Sequence, residues 1–89
     1  DYRSWLSWKK DEDYTYRLRL YELAYDSYPD SARINYYMAY YSMKNELNDQ
    51  AKRFYRQALS LFESDENMGT NEKSRLRSYA IDELNSLMN

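Results

Sequence analysis

Residues 32 to 62 read ARINYYMAYYSMKNELNDQAKRFYRQALSLF, and this stretch decides the fold. Apolar residues recur at three- and four-residue intervals on both sides of a polar turn, the spacing of two amphipathic helices. Ile34, Met38 and Tyr41 share one side of the first helix, and Tyr36 and Tyr40 share another. The second helix sets Ala51, Tyr55, Ala58 and Phe62 on one face. Small side chains at Ala39, Ala51 and Ala58 let two antiparallel helices approach closely, while Met38, Tyr55, Leu59 and Phe62 fill the space around them. Ala51 and Ala58 are therefore expected to be almost fully buried.

The same pattern occurs upstream. Shifting by 34 residues lands Tyr55 on Tyr21, Ala58 on Ala24, Phe54 on Leu20 and Phe62 on Tyr28. Pro29 follows, and a proline both stops a helix and biases the residue before it away from helical geometry. The Ala51, Tyr55, Ala58 spacing, Met38-Ala39 twelve residues before Ala51, the 34-residue period and the position of Pro29 together resemble the tetratricopeptide repeat. The resemblance implies an all-α fold: antiparallel helix-turn-helix repeats in a right-handed superhelix, with a C-terminal capping helix. On this reading the chain is one domain over 1–89, with repeat 1 at about 1–30, repeat 2 at about 31–64 and a last helix at about 71–88, drawn from a longer protein. Two positions depart from the family pattern. Trp5 stands where a small residue is expected, and Arg17 takes the place of Ala51, which suits an exposed position in a terminal repeat.

Five helices follow, near residues 1–10, 14–28, 31–46, 48–64 and 71–88. The acidic run Asp11-Glu12-Asp13 reads as a turn and the start of the second helix. Asp30 or Ser31 is placed to cap the third helix, Asn48 or Asp49 the fourth, and Thr70 or Asn71 the fifth. The polar stretch 64–71 holds the chain's one glycine and reads as a linker. In the last helix Leu76, Tyr79, Ala80, Leu84, Leu87 and Met88 form the apolar stripe, which fits either a capping helix or a third first-helix of a repeat.

Composition narrows the chemistry. With one glycine and one proline, the chain lacks the turn residues that an all-β fold needs. It has no cysteine and no histidine, hence no disulfide, no thiolate and none of the commonest metal ligand and general base. The net charge of -2 and interleaved acids and bases argue against nucleic acid as a partner. No apolar run approaches the roughly 18 residues of a membrane span. The carboxylates at 11–13, 65–66 and 82–83 sit at helix ends or on solvated faces, where they share no desolvated pocket that could split their pKa values. No catalytic residue, metal ligand or cofactor is expected within the chain, and the compartment stays open.

What remains is binding. The resemblance implies a concave groove that receives an extended peptide or a partner helix. Carried onto this sequence, the groove would be lined by Arg33, Tyr36, Tyr37, Tyr40 and Lys44, joined by Tyr2, Leu6 and Lys10 from the first repeat. Tyr36 and Tyr40 lie one turn apart between Arg33 and Lys44, an aromatic strip with basic ends suited to a peptide bearing acidic or aromatic side chains. Tyrosines stand where the carboxylate-clamp members of the family carry lysine and asparagine, which argues against chaperone C-terminal tails as ligands. The alternative makes the chain a packing or oligomerisation tail of a larger protein, such as a hydrolase, with the strip buried against an upstream domain or a second copy.

Overall fold

Nothing in the sequence between Tyr2 and Ser27 forbids a helix: the segment holds neither glycine nor proline, and an acidic residue costs only a few tenths of a kcal/mol inside one. In the computed structural model, which describes the backbone of residues 2–88 and the side chains of residues 14–88, α1 runs unbroken over Tyr2–Ser27. The expected turn at Asp11-Glu12-Asp13 does not form. Helices expected at 1–10 and 14–28 are one helix, and the first repeat is no hairpin. The described residues thus form α1, α2 (Ala32–Lys44), α3 (Asn48–Leu61) and α4 (Thr70–Met88), with no strand among them.

Each remaining boundary has a local cause. At Pro29 the chain turns, with Ser31 N donating to Tyr28 O at 3.2 Å. The Ser31 side chain then accepts from Ile34 N at 3.2 Å and caps α2, as its sequence position suggests. At the other end of α2, Glu46 takes a left-handed backbone, φ 63°. Leu47 N reaches back to Ser42 O at 2.8 Å and Glu46 N to Met43 O at 3.0 Å, the paired bonds of a Schellman stop. This tight turn puts Leu47 at the start of α3, where it makes no side-chain cap, so neither Asn48 nor Asp49 caps the helix. At α4, Lys73 N donates to Gly69 O at 2.9 Å, which sets the N-cap at Gly69 and draws Thr70 into the helix.

The antiparallel pair α2 and α3 forms the centre, with α1 packed on α2 and α4 packed on α3 and on the edge of α2. Ala39, Ala51 and Ala58 are each 0% exposed, as close helix contact requires. Met38, Phe54, Tyr55 and Phe62 are buried around them, and Arg17 is exposed. Ser42, also fully buried, accepts from Gln50 Nε2 at 2.8 Å and ties the two central helices together. Leu76 and Ala80 turn α4 into this core, while Ser74, Ser78, Asp82 and Asn85 on its outer side are exposed. Tyr79, Ile81 and Met88 of α4 are exposed as well.

Polar groups also tie the helix ends. Asn45 Nδ2 donates to Tyr41 O at 2.7 Å and Tyr14 O at 3.3 Å, and Thr15 Oγ1 donates to Asn45 Oδ1 at 2.9 Å, which joins α1 to the end of α2. At the opposite end Asn35 is fully buried and donates to Pro29 O at 3.0 Å and Ser31 O at 2.8 Å. Asp65 is not on a solvated face, as its sequence neighbourhood suggests; it is buried beneath the α3–α4 loop. There one carboxylate oxygen accepts from Ala32 N at 2.8 Å and the other from Asn67 N at 2.9 Å, so the site serves a helix end.

Candidate functional site

Tyrosines from three helices meet along α2. Tyr21 of α1 stacks on Tyr37 and on Tyr41, with ring centroids 5.3 and 5.6 Å apart. Tyr14 approaches Tyr41 at 6.3 Å. Along α2 itself, Tyr36 meets Tyr37 edge to face at 5.0 Å, Tyr40 meets Tyr41 in the same way at 5.0 Å, and Tyr36 stacks on Tyr40 at 6.5 Å. Tyr55 of α3 closes the network against Tyr36 at 5.8 Å. The local cause is the doubled pair Tyr36-Tyr37 and Tyr40-Tyr41: four residues apart, the two pairs put aromatic rings on both flanks of one helix. Offset-stacked and edge-to-face rings of this kind add roughly 0.5–1.5 kcal/mol per pair beyond their buried area.

The residues expected to line a groove lie in different settings. Tyr36 is 6% exposed, a floor residue between α2 and α3. Tyr37 and Tyr40 are half-buried and keep a reachable edge. Lys44 is exposed, and its ammonium stands 5.3 Å from the Tyr40 ring centroid and 5.8 Å from that of Tyr14. Arg33 is engaged: Nε and Nη2 both donate to Glu72 Oε1 of α4, at 2.8 and 2.6 Å. Tyr2, Leu6 and Lys10 lie outside the residues whose side chains the structure describes. The structure thus joins Tyr36, Tyr37, Tyr40 and Lys44 in one cluster, and neutralises the Arg33 end.

Tyr14, Tyr21, Tyr41 and Tyr55 belong to the same network, although their sequence positions alone assign none of them to the groove. Two signals point to three of them. Tyr21 and Tyr55 share one register position 34 residues apart, and Tyr41 follows Tyr37 by one helical turn.

Burial raises three phenols of the network, those of Tyr21, Tyr36 and Tyr55. Burial raises the Tyr36 hydroxyl to about 12, helped by Tyr37 and by Glu83. Tyr55 is pushed up further by burial, with Tyr36 and Glu83 adding to it. Burial also raises Tyr21, with Tyr41 and Tyr37 in the same direction and Arg17 and Arg33 opposing. At the surface the network offers the half-buried rings of Tyr37 and Tyr40 beside the Lys44 ammonium. Among the described residues no cluster of carboxylates has the makings of a metal site, and no helix is long and apolar enough to cross a membrane.

Comparison with family models, curated proteins and solved structures finds no match to this chain.

Proposed function

We propose that the chain is a helical protein-interaction module that takes an extended peptide or a partner helix on the tyrosine-lined side of α2. The observation that carries this reading is Lys44 poised over the Tyr14 and Tyr40 rings at the open end of the network. A carboxylate arriving there would meet an ammonium already held by two aromatic faces, and an aromatic side chain could lie along the reachable edges of Tyr37 and Tyr40. Aromatic anchors of this kind give large contact area at low entropic cost. The tetratricopeptide resemblance supports the same use of the surface, and the right-handed superhelical sense belongs to that resemblance too.

The test is a peptide array probed with the full chain. Peptides with an acidic residue next to an aromatic one are expected to be enriched, and both Lys44→Glu and Tyr40→Ala to abolish the enrichment while helical content stays unchanged. An array without that preference, or one that the two variants read as the wild type does, sinks the proposal.

The burial of Tyr36 favours a packing role for its own part of the strip. Its ring is an internal contact between α2 and α3, so the bound partner would engage Tyr37, Tyr40 and Lys44.

A further inference from the structure

The side of α1 turned away from α2 carries a second apolar surface. Tyr14, Leu18, Tyr21 and Tyr25 face the core, whereas Tyr16, Leu20 and Leu23 are 60%, 46% and 62% exposed. With Ser27, also exposed, these residues follow the alternating four- and three-residue steps of a two-helix seam.

Two charges flank the stripe on one side, Arg19 and Asp26, one heptad apart and both exposed. Neither forms an ion pair with another described residue. Their order selects a partner. We propose that this face is the seam of a symmetric dimer in which the α1 helices of two copies pack antiparallel. Setting Leu20 level with Leu23 of the second copy buries both leucine pairs and brings Tyr16 to Ser27. The same register carries Arg19 to Asp26 of the other helix, twice, because a two-fold interface is self-complementary. Parallel pairing would put Arg19 beside Ala24 and leave both charges unmatched. The face lies opposite the tyrosine network, so this inference does not rest on the proposed peptide site.

The seam is short, and its occupancy is expected to depend on concentration. Sedimentation equilibrium of the full chain from about 10 µM to about 1 mM is expected to show a reversible monomer–dimer equilibrium. The double variant Leu20→Glu, Leu23→Glu should stay monomeric throughout and keep its melting temperature in dilute solution, since both side chains are exposed in the monomer. Arg19→Glu alone or Asp26→Lys alone should weaken the dimer by about tenfold, by setting like charges together. An equimolar mixture of these two variants should form a heterodimer tighter than either homodimer, because each presents the charge that the other lacks. A wild-type chain monomeric at about 1 mM would overturn the proposal. So would a mixture that gains nothing over its components.

Discussion

Asp65 accepts the backbone N–H of Ala32 at 2.8 Å, across 33 residues of sequence. Ala32 is the first residue of α2, so the carboxylate meets one of the amide hydrogens that a helix start leaves unpaired, at the end where the helix dipole favours negative charge. Ser31 caps the same helix locally, and the loop that follows α3 completes the cap from a distance. Replacing Asp65 by alanine leaves a buried amide without a partner and frees the loop. The expected loss is about 1–3 kcal/mol in urea unfolding, with a smaller loss for Asp65→Asn, whose side-chain oxygen can still accept. An unchanged midpoint for Asp65→Ala would show that the loop is held by other contacts.

Tyr55 is fully buried, and its hydroxyl has no hydrogen-bond partner among the described residues. A buried polar group left unpaired costs free energy that its ring does not recover. Tyr55→Phe is therefore expected to be neutral or to stabilise by up to about 1 kcal/mol, whereas Tyr55→Ala should cost about 3–5 kcal/mol by emptying the centre of the α2–α3 contact. Thermal melts of the two variants separate ring from hydroxyl, and a clear loss for Tyr55→Phe would mean that the hydroxyl makes a bond.

The raised tyrosines set an alkaline limit. In the unfolded chain a tyrosine ionises near its ordinary value of about 10, while the folded state keeps Tyr36 protonated up to about 12 and Tyr55 beyond that. The folded state thus binds more protons above pH 10, and stability falls as pH rises from there through the folded values. Below pH 10 these groups contribute their full stabilisation. Each such tyrosine contributes a slope approaching about 1.4 kcal/mol per pH unit in that window. Urea midpoints taken between pH 8 and pH 11.5 should stay level and then drop, and Tyr55→Phe should flatten the drop.

Close packing of the central helices was legible from the small residues. Ala51 and Ala58 carry it because spacing and side-chain size both point to one buried face, and they are the place to test it. Ala58→Leu should overpack the contact and cost about 1–3 kcal/mol, read as a lowered melting temperature. Pro29 and Ser31 were legible for the same reason: their effect on the backbone is local. The run Asp11-Glu12-Asp13 misleads because acidic residues favour helix starts without forcing one, and nothing beside them forbids continuation. Asp65 and Tyr36 could not be read from neighbours at all. The acid is buried by a helix start 33 residues away, and Tyr36 is buried by Tyr55 across the interhelical contact. Arg33 reads as a free basic end until α4 brings Glu72 within 2.6 Å.

The turn between α2 and α3 holds a residue poorly suited to its geometry. Glu46 sits at φ 63°, a left-handed conformation in which the Cβ of an L-residue crowds the backbone. Helices that stop in this way most often place glycine at that position. The bonds from Leu47 N to Ser42 O and from Glu46 N to Met43 O fix the backbone there whatever the side chain, so glycine would keep both and relieve the crowding. Glycine also loosens the unfolded chain, which takes back part of the gain. The net expectation for Glu46→Gly is a stabilisation of about 0.5–1 kcal/mol, while Glu46→Val, with a branched Cβ, should destabilise by at least as much. Paired urea titrations of the two variants decide it. If both shift the midpoint in the same direction, the left-handed turn is not what limits the stability of this hairpin.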